Sequence, residues 1–233
     1  MTKSRRKQSQ LPLAFRPGGH GGRRARAGRK RGQGRRCVAH RQRQRFSSAR
    51  PLHVTIRVVG LVSSLRKRER YQVLHDVFCK TVRPGFRICH YSVQDDHIHL
   101  IVEASNRAAM SSGMRSVNSR IGKGMNIHLG RRRGRVIADR YHEEHLGSPR
   151  QVRNTLAYVL NNVRKHVLHE MAQECEHNWL DPCSSAQYFD GWKGIDPVPI
   201  GRDAPVVAPH TWLLKKLWRR HRLIDINTIP GPR

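Results

Sequence analysis

The segment that most constrains the fold is residues 95–102, an apolar run that contains two histidines one residue apart. Such a run is typical of a strand, in which successive side chains point to opposite faces of the sheet. The apolar side chains at positions 98, 100 and 102 then share one face, and His97 and His99 lie together on the other. Two neutral imidazoles side by side on a strand provide half of a divalent-metal site.

Hydrophobic periodicity predicts seven elements in the order β-α-β-β-α-β-α. They are a strand at 53–59, a helix at 66–82, strands at 86–93 and 97–102, a helix at 108–128, a strand at 136–145 and a helix at 148–168. The last helix begins with a capping-box pattern and a proline at its first position. This order predicts an α+β fold, a ferredoxin-like antiparallel sheet with helices on one face.

The two ends of the chain differ from this central part. Residues 1–50 contain 17 Lys+Arg and no acidic residue, with a Gly/Arg-rich stretch that has no hydrophobic periodicity. Such a segment buries too little apolar surface to offset its ordering entropy, so we predict a disordered basic arm. We therefore predict three parts: the arm at 1–50, a folded domain at 51–170, and a less regular C-terminal tail at 171–233 with a short amphipathic helix at 211–223.

The charge of the chain indicates an anionic partner. There are 46 Lys+Arg against 16 Asp+Glu, a formal net charge of +30, and +13 remains without the first 50 residues (29 minus 16). Such an excess favours nucleic acid. No run of 18 apolar residues and no apolar signal region is present, so we expect neither a membrane span nor secretion. The five cysteines form no CxxC pair, which favours reduced thiols in a cytoplasm.

The helix at 148–168 carries two further candidate residues. Tyr158 and Asn162 are four positions apart and share a helix face, away from the apolar stripe that contains Val152, Leu156 and Val159. A tyrosine beside a metal ion suggests covalent chemistry on a phosphodiester, and an asparagine carbonyl can complete the metal site. The alternatives are a packed core tyrosine and an ordinary surface asparagine.

Two sequence blocks carry a resemblance to a known family. Residues 91–102 resemble the HUH signature of single-tyrosine transposases, and more closely that of REP-associated tyrosine transposases of bacterial genomes. Residues 156–164 resemble the Tyr-x3-Asn-Pro-Val-Arg helix of the same family, and residues 140–146 resemble the strand before it. The chain has Gln-Asp-Asp at 94–96 where the family usually has Met-Pro-Asn, and Val163 where it has proline.

The resemblance implies a role for each candidate residue. His97, His99 and Asn162 would bind Mg²⁺ or Mn²⁺, and Tyr158 would be the nucleophile that forms a 5′-phosphotyrosine. The implied activity is metal-dependent nicking and strand transfer on single-stranded or hairpin DNA, in the cytoplasm of a bacterium and at its nucleoid. We expect DNA contacts from five basic residues of the domain, Arg131, Arg132, Arg133, Arg135 and Lys165.

Two other functions remain compatible with the sequence. One is a non-catalytic DNA- or RNA-binding protein on the same fold, and the other is a domesticated transposase that binds DNA without cutting it. Metal-dependent nicking would separate the enzyme from both. The oligomeric state, monomer or homodimer, is left open.

Overall fold

The computed structural model describes residues 44–60, 62–81, 83–164 and 179–228. The arm prediction for residues 1–43 and the DNA-contact prediction for Lys165 therefore lie outside the described residues. The main elements are β1 Leu52–Arg57, α1 Arg68–Cys79, β2 Phe86–Val93, β3 His97–Ala104, α2 Arg107–His128, β4 His142–His145, α3 Pro149–Leu160 and α4 Trp212–Lys215, with 3₁₀ turns at Ala186–Tyr188 and Leu217–His221.

The four strands form one antiparallel sheet in the order β2-β3-β1-β4. Antiparallel register places Arg57 opposite His97 and Leu52 opposite Val102. A bulge at Cys89 shifts the register between β2 and β3. The predicted α+β fold with a ferredoxin-like antiparallel sheet is confirmed.

The helices α1 and α2 cover one face of this sheet. Their apolar residues pack with the even-numbered strand residues that strand alternation predicts, such as Val54 and Leu100, and these side chains are fully buried. The helix α2 runs close to β2 because position 113 is glycine. A Cβ atom at Gly113 would overlap the ring of Phe86.

The helix α3 lies against the opposite face, together with part of the C-terminal segment 179–228. Its buried Val152 and Leu156 pack in a second core that contains Ile101 of β3 together with Phe189 and Trp218. The expectation of helices on one face thus describes α1 and α2 but not α3. The reason is that Ile101, an apolar residue, lies on the same face of β3 as the histidines. The aromatic side chains of the C-terminal segment complete a core around it.

Three elements differ most from their predicted bounds. The strand β4 is limited to His142–His145, because residues 136–138 instead form a separate bridge beside the end of β1. The helix α3 ends at Leu160, where the Asn161 side chain donates hydrogen bonds to the carbonyl oxygens of Asp225 and Thr228. Residues 162–164 are helical again, and the remainder of the predicted helix, residues 165–168, lies outside the described residues. The predicted helix at 211–223 is divided into α4 and a 3₁₀ turn. No helix in the described part of the chain has the length and apolar character needed to cross a membrane.

Candidate active site

The two histidines of β3 converge on the face of the sheet that α3 covers. The Nε2 atoms of His97 and His99 are 3.1 Å apart, and their ring centroids are 4.7 Å apart at an interplanar angle of 86°. Strand alternation explains the shared face, since side chains two residues apart on a strand point the same way. Two lone pairs cannot face each other at this distance unless a proton or a cation lies between them.

Neighbouring residues orient both imidazoles from their Nδ1 atoms. The Nδ1 atom of His97 lies 2.6 Å from the Asp96 carboxylate. Burial raises the pKa of Asp96, but the hydrogen bond and the charge of His97 outweigh that effect and lower it overall. The Nδ1 atom of His99 lies 3.0 Å from Nε2 of His53 and 3.3 Å from the Thr55 hydroxyl. When each Nδ1–H donates to these partners, each Nε2 keeps its lone pair for a cation, as in carboxylate–histidine–metal arrangements.

A divalent cation held by two imidazoles would need an oxygen ligand, and the amide of Asn162 is the candidate that the sequence predicts. Asn162 is 1% exposed, and neither atom of its side-chain amide has a hydrogen-bond partner among the residues that the structure describes. A buried polar group without a hydrogen-bond partner lowers the free energy of unfolding by about 1–3 kcal/mol. A cation coordinated by the amide oxygen would remove part of that loss. Within the described ranges, no group of three His, Cys, Asp or Glu side chains could hold a metal ion.

Tyr158 is the residue of α3 that lies against the histidines. Its ring centroid is 5.2 Å from that of His99, edge to face at 74°, and 6.2 Å from that of His53. The ring is partly exposed and packs at the margin of the second core. Asn162 follows the C-terminal cap of α3 and is not the surface residue of the alternative interpretation, because it is buried. It forms no hydrogen bond with either histidine.

The loop at 131–135, which contains four arginines and is called the arginine loop below, lies at the end of the sheet where β3 begins. Its four arginines are half-buried or exposed. The loop continues into residues 136–138, which hydrogen bond alongside Arg57 and Val59. Arg57 is the cross-strand partner of His97. The loop is thus connected to the same end of the sheet as the histidine pair, and its contact with DNA remains a prediction.

His53 and Thr55 were missed by the sequence reasoning. Both lie on β1 and, by alternation, on the same face as the β3 histidines, with Thr55 directly opposite His99. The signal was present, since the run 53–57 alternates like 97–102. What the sequence alone does not give is the register that brings His53 and His99 together.

Comparison with known proteins bears on these residues. Residues 53–162 match the family model for IS200-like transposases, and this range includes His97, His99, Tyr158 and Asn162. No curated protein matches the chain.

One solved structure with a similar chain is described as a REP-associated tyrosine transposase bound to a REP hairpin. The identity is 19% and the TM-score is 0.49, over 64% of this chain and 82% of that one. The similarity to transposases rests on the family model, whose matched range begins at the second residue of β1 and ends at Asn162. Over residues 53–162, slightly less than half of its length, the protein is similar to IS200-like transposases.

Proposed function

We propose that the protein is a metal-dependent strand transferase that nicks and rejoins single-stranded DNA at hairpins through a 5′-phosphotyrosine at Tyr158. The match of residues 53–162 to the model for IS200-like transposases supports a transposase and DNA-binding role in general. The observation that carries the finer proposal is the meeting of the Nε2 atoms of His97 and His99 at 3.1 Å, with the Tyr158 ring packed against His99.

The proposed reaction is an in-line displacement at phosphorus. The Tyr158 hydroxyl oxygen forms a bond to phosphorus as the bond from phosphorus to the 3′ oxygen breaks. The phenol proton leaves to solvent, and the departing 3′ oxygen takes up a proton to become a 3′-hydroxyl. Attack of a 3′-hydroxyl on the phosphotyrosine reverses the step and rejoins DNA without an external energy source.

The remaining side chains bind and orient. His97, His99 and the Asn162 amide oxygen would hold Mg²⁺ or Mn²⁺, and a bound divalent ion polarises a phosphodiester and orients it for displacement. By accepting from Nδ1–H, His53, Thr55 and Asp96 would keep the two imidazoles in the tautomer that has an acceptor at Nε2. Basic residues of the arginine loop, with Lys165, would hold the DNA backbone. Such hairpins lie on a bacterial chromosome, so we expect the activity at the nucleoid.

The test separates cleavage from binding. His97→Ala and His99→Ala should abolish cleavage of labelled hairpin DNA in Mg²⁺ or Mn²⁺ and remove Mn²⁺ binding measured by calorimetry. DNA affinity should stay within a few-fold, because it comes mainly from Lys and Arg contacts to phosphates. His128→Ala is the matched control, since His128 is an exposed histidine at the end of α2. Full cleavage by the double variant would refute the proposal, and a wild-type chain that binds DNA without metal-dependent nicking would favour the non-catalytic alternative.

A further inference from the structure

The buried histidine of β1 is hydrogen bonded to one histidine of the pair. His53 is 2% exposed, its Nε2 atom lies 3.0 Å from Nδ1 of His99, and the two rings stack with their centroids 5.1 Å apart. A hydrogen bond between two imidazoles needs an N–H on one ring and a lone pair on the other. The position of the proton on His53 is therefore linked to its position on His99.

Metal binding at His99 requires one of the two possible arrangements of these protons. For Nε2 of His99 to offer a lone pair to a cation, its Nδ1 must carry a proton and donate it to His53. Nε2 of His53 is then the acceptor, so a neutral His53 carries its own proton on Nδ1. In the opposite arrangement His53 donates, and His99 has its proton on Nε2, the atom that faces His97. An acceptor beside Nδ1 of His53 would select the first arrangement.

A carboxylate lies opposite His53 on the neighbouring strand. The strand β1 lies between β3 and β4, and the register of β1 with β4 pairs His53 with Glu144. Side chains of directly opposite residues share a face of the sheet, with Cβ atoms about 4.5–5.5 Å apart. The His53 ring thus has His99 on its β3 side and Glu144 on its β4 side. Glu143, the preceding acid of β4, is paired with Val54 and belongs to the other face.

A hydrogen bond to α3 holds Glu144 at this position. Glu144 is half-buried, and its Oε1 atom accepts a hydrogen bond of 2.9 Å from the side-chain amide of Gln151. Gln151 lies in the first turn of α3, and its amide oxygen accepts from the backbone N–H of Gly147 at 2.9 Å. A carboxylate that is fixed and partly removed from water forms a strong, charge-assisted hydrogen bond with an N–H group.

We propose that Glu144, His53 and His99 form a hydrogen-bonded chain in which Glu144 is a positioning residue for the metal site. The Glu144 carboxylate accepts from Nδ1–H of His53, and Nε2 of His53 accepts from Nδ1–H of His99. This chain keeps the Nε2 lone pair of His99 directed to the cation. Its counterpart at His97 is the direct contact of Nδ1 with Asp96, and carboxylates behind ligand histidines commonly tune metal sites in this way. The inference rests on the proposed metal site and adds the residue that orients one of its ligands.

The first experiment measures Mn²⁺ binding to the full chain by calorimetry, without DNA. Glu144→Ala should weaken binding by about 10- to 100-fold, the usual effect of removing such a partner. Glu144→Gln keeps an acceptor oxygen and should lose less affinity. Gln151→Ala is the matched control, because it removes the contact between β4 and α3 but keeps the carboxylate; its affinity should stay near that of the wild type.

A double variant separates the chain from a simple effect of charge. His53→Gln replaces the imidazole with an amide whose oxygen can accept from His99 without a carboxylate behind it. In this background Glu144→Ala should have no further effect on Mn²⁺ affinity, because the two residues act through one path. A loss of general negative charge would instead weaken binding equally in both backgrounds.

The proton positions themselves can be read without metal. Nitrogen-15 NMR of histidine-labelled protein in EDTA should show a proton on Nδ1 of both His53 and His99 in the wild type, and Glu144→Ala should reduce the share of His53 protonated there. A wild-type His53 without a proton on Nδ1, an unchanged Mn²⁺ affinity in Glu144→Ala, or an equal loss in the His53→Gln background would overturn the chain and leave the metal site intact. If the wild-type chain bound no Mn²⁺, the proposed function itself would fail.

Discussion

The ion pair between Arg66 and Asp181 should contribute strongly to stability, and Asp181→Asn tests this. The carboxylate side chain is 1% exposed, and it accepts two hydrogen bonds from the Arg66 guanidinium at 2.8 and 3.0 Å. Arg66 also donates to the carbonyl oxygen of Val93 at 2.8 Å. Removal of one partner from a buried pair costs about 3–5 kcal/mol. Because the Arg66 side chain is 21% exposed, we expect about 2–4 kcal/mol.

The assay is equilibrium unfolding in urea followed by circular dichroism. With a slope of about 2 kcal/mol per molar urea, the midpoint should fall by about 1–2 M. The matched control is Asp190→Asn, which breaks an ion pair of similar length, 2.7 Å to Arg219, at a position 69% exposed. An exposed pair contributes at most about 1 kcal/mol. Equal small losses for the two variants would refute the argument that burial makes the Arg66–Asp181 pair different.

Three further perturbations have expected outcomes. Gly113→Ala should lower the free energy of unfolding by about 1–3 kcal/mol, because the new Cβ overlaps Phe86, whereas Gly122→Ala in the same helix meets no atom and should raise it by about 0.5–1 kcal/mol; thermal melts compare the two. Burial lowers the pKa of His90 from 6.5 to about 4. Between pH 6.5 and 4 the imidazole is therefore protonated in the unfolded state but neutral in the folded state, and the free energy of unfolding falls by about 3 kcal/mol as the pH falls. His90→Gln should flatten this pH dependence in urea titrations. Deletion of residues 1–43 should reduce the salt dependence of DNA binding by about 0.7–0.9 in log–log slope for each phosphate that the arm neutralises, and an unchanged slope would show that the arm does not touch DNA.

The parts of the fold that depend on local pattern could be predicted from the sequence. Alternation over 97–102 gave the correct faces for His97 and His99, because a strand's period of two does not depend on its partners. The seven elements followed from periodicity in the same way. The side of the sheet that α3 covers could not be predicted in this way. It depends on aromatic residues of the C-terminal segment that lie more than 20 positions later in the chain.

The candidate site was predictable to a similar extent. The sequence identified the histidine pair and Tyr158 as candidate site residues because each lies within a short periodic segment. The sequence did not identify His53 and Thr55, because their contacts with His99 depend on strand register, which is a property of the paired sheet. The break of α3 at Asn161 was also missed, since it is stabilised by backbone carbonyls of residues 225 and 228, more than 60 positions away.

The most direct test of the central claim is to locate the covalent bond. After incubation of the protein with hairpin DNA and Mn²⁺, the trapped adduct is digested with protease and mapped by mass spectrometry. Four other tyrosines are available in the chain, Tyr71, Tyr91, Tyr141 and Tyr188. Burial raises the pKa of Tyr71 to about 12 and that of Tyr91 well above its ordinary range, so these two are poor nucleophiles.

Tyr158→Phe removes one hydroxyl and keeps the ring that packs beside His99. The account predicts an adduct on Tyr158 in the wild-type protein, and no adduct in Tyr158→Phe, whose melting temperature and DNA affinity stay near those of the wild type. An adduct on another tyrosine or on a serine, or undiminished adduct formation by Tyr158→Phe, would contradict it.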